Sequence, residues 1–351
     1  MHVFNEKVLG LRTVGSKNEG TKEGLDVAVV GLGKMGLLHS CILNVLPNVR
    51  LVAVCDKSNL IRRVGKKVFK RARLLDDIDK LADVKVDAVY VTTPIPSHFF
   101  IAKALYSKRI APNLFVEKTL ASNYGQAKEM CSLAKDSGGV SMVGYMKRFG
   151  VTYQKARDLL QKQALGEVDS FDAYAYSSDF AEVKEGSGVA GARGGVLEDL
   201  GSHVVDVALW FFGDLEVASA LVESVTSEGC EDSASILARG IGELKGRFSI
   251  SWCKKEYRMP EFGLTVHGSN GVLRVNDDAL ELDLDKGSLK KWYRHDLNDN
   301  VGFLLAAPEY FREDEAFVRS ILGGAVVEPT FLTASKVDYF VEQARTRAGR
   351  K

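Results

Sequence analysis

One stretch constrains this chain more than any other: residues 27–56, VAVVGLGKMGLLHSCILNVLPNVRLVAVCD. Val27 to Val30 form an apolar, β-branched run of the kind that makes a buried strand. Gly31, Gly33 and Gly36 follow at Gly-x-Gly-x-x-Gly spacing, and then a helical pattern expected to turn Leu37, Leu38, Cys41 and Ile42 inward. A second buried strand over 51–55 ends on Asp56, twenty residues beyond Gly36. Gly31 permits the tight turn, Gly33 lets backbone N–H groups approach a pyrophosphate, and Gly36 lets the helix pack closely on the strand. The phosphates then sit at a helix N-terminus, beside Lys34 and Met35, where unpaired N–H groups and the helix dipole favour negative charge. Asp56 is placed to accept hydrogen bonds from both ribose hydroxyls of an adenosine. Glycine is common in this chain (33 of 351 residues), so the spacing alone is weak. Strand, glycines, helix, strand and acid in that order are a specific dinucleotide signature.

At 351 residues the chain is long enough for two domains with separate cores. A formal net charge of +1 gives no global electrostatic case for nucleic acid or an anionic membrane. No run approaches the roughly 20 apolar residues of a membrane span. The five cysteines (Cys41, Cys55, Cys131, Cys230, Cys253) are odd in number and scattered, which fits a reducing cytoplasm and argues against a disulfide framework or a zinc site. Residues 1–24 lack a signal-peptide core and read as an extension ahead of the first domain, with His2 to Leu11 either an added edge strand or a free arm.

After Asp56, Leu60, Ile61, Val64 and Val68 recur at helical spacing within a strongly basic segment that includes Arg62, Arg63, Lys66, Lys67, Lys70, Arg71 and Arg73. The segment reads as the solvated outer face of a helix rather than a nucleic-acid patch, since Phe69 is its one aromatic and acids follow at Asp76, Asp77 and Asp79. Lys57, Arg62 or Arg63 could still reach a 2′-phosphate and admit NADP. The Asp56 carboxylate repels that phosphate, so NAD is the expected preference over NADP.

Residues 86–91 form the next buried strand and deliver Thr92, Thr93 and Pro94 to the edge where α/β sheets bind ligands. His98 either lines that crevice or makes a local hydrogen bond near a helix start. A strand at 114–116 delivers Glu117, Lys118 and Thr119, and a strand at 140–143 delivers the segment from Gly144 to Phe149. The alternation of strands and helices predicts a doubly wound parallel sheet over residues 25–149. Beyond Phe149 a helix over 153–163 gives way to period-2 alternation. Phe171, Ala173 and Ala175 oppose Asp172, Tyr174 and Tyr176, and Phe248, Ile250 and Trp252 oppose Arg247, Ser249 and Ser251. This predicts a large open, mainly antiparallel sheet with one covered face over residues 150–330, interrupted by a helix over 198–212. Helices are expected again over 310–321 and 333–345, with residues 331–351 as a C-terminal helix.

Three residues could carry chemistry. Lys118 sits at the carboxyl end of a strand on the expected nicotinamide side. Asp199 and His203 are four residues apart at a helix start and so share one face. Removing a hydride from an alcohol carbon requires a partner for the hydroxyl proton. A partly desolvated lysine beside a cationic nicotinamide, or a histidine oriented by a carboxylate, can take it. Each residue alone is more often structural; the three together behind a dinucleotide turn are not.

These motifs resemble the Gfo/Idh/MocA (glucose–fructose oxidoreductase / inositol dehydrogenase / rhizopine catabolism) family from Leu25 onward. The resemblance is carried by Val29 to Gly36, by Thr92-Thr93-Pro94 with His98, and by Glu117-Lys118-Thr119. It is carried more specifically by Gly144-Tyr145 with Arg148-Phe149 and by Gly194-Gly195 with Asp199-Leu200-Gly201-Ser202-His203. It implies an NAD(P)-binding Rossmann domain, a sheet domain that shapes the substrate pocket, and reversible oxidation of a hydroxyl on a sugar, cyclitol or nucleotide-sugar. By position it makes Lys118 the active-site lysine and Asp199 and His203 the Asp-x-x-x-His pair, with Lys118 and His203 sharing the proton-acceptor assignment. Gly31, Gly33, Lys34, Met35, Gly36, Asp56, Lys57, Thr92, Thr93, Pro94, His98 and Glu117 fall to the cofactor, and Tyr145 and Arg148 to the substrate. No metal is implied. A homodimer or homotetramer through the second sheet is expected. Thr119 departs from the proline usual at that place. A cofactor-binding regulator of the same fold is the competing reading, which the joint retention of Lys118, Asp199 and His203 opposes.

Overall fold

Six short strands alternating with helices build the first sheet. They are β1 (Leu25–Val30), β2 (Val49–Cys55), β3 (Arg73–Leu75), β4 (Ala88–Val91), β5 (Asn113–Glu117) and β6 (Ser141–Gly144). The computed structural model describes residues 24–179, 194–224, 230–285, 287–324 and 326–349. Every strand pair in this sheet is parallel, in the order β3-β2-β1-β4-β5-β6. A parallel sheet covered on both faces needs continuous apolar runs. β1 and β4 supply them: Val27, Ala28, Val29, Ala88, Val89, Tyr90 and Val91 are fully buried. The expected doubly wound architecture is therefore present, with β3 as an added short edge strand. The N-terminal segment, including His2 to Leu11, lies outside the described residues.

One helix face differs from the expected one, and a second is set by a glycine. In α1 (Lys34–Leu43) Leu38 and Ile42 pack inward, whereas Leu37 is exposed. In α2 (Asn59–Val68) the apolar stripe Leu60, Val64 and Val68 faces solvent. The inward face is the row rotated by one residue: Ile61, Gly65 and Phe69. Gly65 comes so close to Leu32 that a Cβ would sit 2.8 Å from its Cδ2. Close packing through a glycine outweighs the alternative of burying three aliphatic side chains.

The second sheet has eight strands in the order β14-β13-β12-β11-β7-β10-β9-β8. They are β7 (Val168–Tyr176), β8 (Glu216–Glu223), β9 (Ser233–Arg239), β10 (Lys245–Ser251), β11 (Glu261–Gly268), β12 (Gly271–Asn276), β13 (Ala279–Leu284) and β14 (Ser288–Tyr293). All its pairings are antiparallel except β7 with β10. The period-2 pattern holds: Phe171, Ala173, Ala175, Phe248 and Ile250 are buried, while Asp172, Arg247 and the Tyr174–Tyr176 stack lie on the other face. Ser269 and Asn270 turn the hairpin between β11 and β12.

Helix α3 (Ile95–Ser107) and α4 (Tyr124–Ser137) flank the first sheet, and α5 (Val151–Gln161) leads to the second. The helix expected over 198–212 is a π-helical turn, Leu197–Gly201, followed by α6 (Ser202–Phe212). The last two helices, α7 (Pro308–Gly323) and α8 (Phe331–Ala348), return to earlier parts of the molecule. Although α7 follows the second sheet in sequence, it packs into the core of the first: Phe317 sets its ring edge against Tyr90 and Phe115. On helix α8, Asp338 Oδ1 accepts from the Ala121 N–H, just beyond β5. All five cysteines are free thiols. No described helix is long and apolar enough to cross a membrane.

Candidate active site

The glycine turn fits a pyrophosphate. Gly31 has φ +92°, and a Cβ there would lie 2.7 Å from Thr93 Cγ2. A Cβ at Gly36 would lie 1.8 Å from the Gly31 carbonyl oxygen, so helix and turn touch through backbone alone. Thr92 Oγ1 locks this contact by donating to the carbonyls of Gly31 (2.6 Å) and Val30 (3.1 Å). Around Gly33, by contrast, a Cβ would meet nothing within 4 Å. Gly33 is the N-cap of α1 and has no capping side chain, so the helix N-terminus opens onto free space. Lys34 and Met35 begin the helix, Lys34 exposed and Met35 half-buried.

From that turn a cleft of about 870 Å³ runs outward, lined by Asp56, Lys57, Asp76, Asp77, Thr93 and Pro94 among others. The Asp56 carboxylate is held by the N–H groups of Leu32 (2.7 Å) and Ser58 (2.8 Å). It is thereby aimed and still has lone pairs for hydroxyl donors. Arg62 donates to the carbonyls of Asp56 and Lys57. Its guanidinium is thus engaged by backbone oxygens, Arg63 is exposed outside the cleft lining, and carboxylates line the cleft's rim. These features suit an NAD ribose better than a 2′-phosphate.

Lys118, one residue beyond β5, reaches the second half of the molecule. Its Nζ donates to the Asp199 carbonyl (2.7 Å) and to Asp199 Oδ1 (3.2 Å). Both side chains are partly accessible, at 17% and 21%. The Lys118–Thr119 peptide bond is cis. The π-helical turn carries Asp199, and His203 follows on the first turn of α6. His203 is 6% exposed, packed between the ring edges of Tyr145 and Phe262. Its Nδ1 has no hydrogen-bond partner among the described residues. Burial, with the charges of Lys118 and Lys147 adding to it, pushes the His203 pKa well below 6.5. The imidazole is neutral at working pH and able to accept a proton.

Four expected contacts take other forms. Glu117 does not face the cleft: Oε1 accepts from His39 Nε2 at 2.9 Å, and Oε2 accepts the Lys118 N–H at 3.0 Å. His98 is fully buried and joins the ends of β4 and β5, its ring nitrogens lying 2.7 Å from the Thr93 carbonyl and 2.9 Å from that of Thr119. Arg148 is paired bidentately with Asp206 at 2.7 and 2.8 Å in the core. A buried fork of this kind spends the guanidinium on protein, so Arg148 is structural where a substrate contact was expected. Tyr145 is wholly buried and shapes the His203 pocket with its ring.

Sequence reasoning missed His39, Asp314, Asp206 and Lys147. Lys147 is nearly buried, with Nζ 2.7 Å from Asp277 Oδ1 and 4.6 Å from the Phe262 ring centroid, on the same ring that His203 meets. The signal for His39 was present as a polar residue on the inward face of α1 beside Leu38 and Ile42. Its partners lie too far along the chain to be read from spacing.

Fold and site together define a two-domain, dinucleotide-dependent oxidoreductase. Residues 25–145 match the oxidoreductase family with an NAD-binding Rossmann fold, and residues 153–274 match the Gfo/Idh/MocA C-terminal domain. The chain belongs to the Gfo/Idh/MocA family. Among curated relatives, D-glucoside 3-dehydrogenase of Escherichia coli is 25% identical, covering 93% of this chain and 95% of that protein. Inositol 2-dehydrogenase of Rhizobium meliloti is 24% identical, covering 86% and 90%. A levoglucosan dehydrogenase solved with NADH superposes with a TM-score of 0.84 over 93% of this chain and 97% of that one, at 18% identity.

Proposed function

We propose that this protein is an NAD-dependent dehydrogenase that reversibly oxidises a secondary hydroxyl of a sugar, cyclitol or nucleotide-sugar. The observation that carries the reading is the meeting of Lys118, from the first sheet, with the Asp199–His203 segment of the second. NAD supplies the hydride acceptor when bound, and the open N-terminus of α1 with Gly33 and Asp56, beside Thr93 and Pro94 of the cleft, would hold it. The protein's own residues handle the proton. Neutral His203 accepts it from the hydroxyl oxygen, while the Lys118 ammonium donates a hydrogen bond to that oxygen as negative charge builds there. Asp199 holds Lys118 in place through two acceptors. Relatives named as glucoside and inositol dehydrogenases support the substrate class.

A homo-oligomer formed through the uncovered face of the second sheet accompanies this reading. That face carries the Tyr174–Tyr176 stack and the exposed Leu221 and Leu237. A monomer by light scattering would contradict it. Five free thiols fit the cytoplasm as the working compartment. The activity is tested by following nicotinamide absorbance with NAD and then NADP against a panel of sugars, cyclitols and nucleotide-sugars. Reduction of NAD by at least one group is expected. Tight NAD binding without turnover of any compound would favour the regulator.

A further inference from the structure

Behind the active-site lysine lies a buried charge chain that the proposed reaction does not use. His39, on α1 three residues after Gly36, is fully buried. Its Nδ1 is 2.8 Å from Asp314 Oδ1 and 3.0 Å from Oδ2, on α7. Its Nε2 is 2.9 Å from Glu117 Oε1, at the end of β5. Successive strand residues point to opposite faces. Glu117 therefore turns toward α1 and α7 while Lys118 turns toward Asp199. The other Glu117 oxygen accepts the Lys118 N–H. Gly144 opposite leaves Glu117 little room, since a Cβ there would lie 3.3 Å from the carboxyl carbon.

We propose that His39 is a positioning residue for the active site: by bridging Asp314 and Glu117 through both ring nitrogens, it fixes the carboxylate that holds the Lys118 backbone. It does not touch substrate; it acts through Glu117. A neutral imidazole has one N–H, so two carboxylate acceptors are served together only by the imidazolium. Against the burial that lowers it, Asp314 and Glu117 raise the His39 pKa well above 6.5. Burial raises Asp314, opposed by His39, and Glu117 is held low against burial by His39 and Lys118. The other groups facing the ring are Tyr310 and Glu313 on α7, with Tyr90 on β4 and Phe115 on β5. Glu313 is driven well above its ordinary value by burial. The cluster thus ties the cofactor's glycine-turn helix, the lysine strand and α7 through one stored proton.

This inference rests on the dehydrogenase reading, and its test separates the two. In the full-length protein, nitrogen-15 NMR of the histidine rings is expected to show both His39 nitrogens protonated at neutral pH. One bare nitrogen at neutral pH would overturn the proposal, and this arm needs no substrate. Asp314→Asn keeps the shape and removes one charge. With the polyol found in the panel, folded D314N is expected to lose roughly 10–10²-fold in kcat while KM and the NADH dissociation constant stay within about twofold. Its kcat should also fall with rising pH earlier than that of the wild type, because its imidazolium is less stabilised. Wild-type kcat and an unchanged pH profile in folded D314N would overturn the positioning role. If no polyol is turned over, the Lys118 side-chain carbon signal, assigned by its loss in K118M, is the readout. It is expected to move in D314N, and an unmoved signal counts against the proposal.

Discussion

Gly33→Ala separates cofactor recognition from folding. Gly33 has φ −67° and ψ −164°, extended backbone that alanine adopts freely, and its added Cβ meets no protein atom within 4 Å. Apo stability should therefore change by less than about 1 kcal/mol, with the entropy gained against glycine offsetting a poorer N-cap. The same methyl would stand in the space where a pyrophosphate must approach the α1 N-terminus. A tenfold or greater loss of NAD affinity is expected, roughly 1.4 kcal/mol or more. Gly36→Ala is the control. Its Cβ would lie 1.8 Å from the Gly31 oxygen and 2.7 Å from Thr92 Oγ1, so α1 must lift off the turn. Overpacking at about 1–3 kcal/mol, plus about 1 kcal/mol for weakened Thr92 hydrogen bonds, predicts a loss near 2–4 kcal/mol even without cofactor. Thermal unfolding with and without NAD reads both effects. At a hundredfold excess over the wild-type dissociation constant, NAD should stabilise the wild type by about 2.7 kcal/mol and a tenfold weaker G33A by about 1.4 kcal/mol. A G33A protein that binds NAD like the wild type would refute the placement of the phosphates.

Other outcomes follow from the same geometry. His203 is depressed in the fold relative to 6.5, so below about pH 6.5 the unfolded chain binds more protons and stability falls toward acid. His203→Gln should lose less stability than wild type between about pH 7 and 5, measured by urea unfolding. Arg148→Met leaves Asp206 buried and unpaired and should cost about 3–5 kcal/mol. The double change R148M/D206L should recover much of that loss in the same denaturation assay. Asp56→Ala should narrow the preference for NAD over NADP by about tenfold or more in paired titrations; an unchanged ratio would remove Asp56 from cofactor selection.

The parallel sheet and the cofactor turn were legible in the sequence because local order alone specifies them. Val27 to Asp56 states strand, turn, helix, strand and acid within 30 consecutive residues. The alternating strands were equally plain, since Phe171 to Tyr176 can bury only one face. What was not legible depends on partners distant in the chain. Arg148 was given to substrate because Asp206, 58 residues away, could not be seen beside it. His39 and Asp314 are separated by 275 residues. The rotation of α2 was not legible because Gly65 carries no hydrophobic signal, yet close approach through it sets that rotation. The site was legible in composition and not in connection: Lys118, Asp199 and His203 were named, but the support under Glu117 was not.

The most direct measurement of the central claim is steady-state turnover of Lys118→Met and His203→Ala with saturating NAD and the polyol identified in the panel, alongside NADH binding to each variant. Each is expected to lose roughly 10²–10⁴-fold in kcat while NADH binds as it does to the wild type. Wild-type turnover in both variants would contradict the assignment of the proton chemistry to these residues.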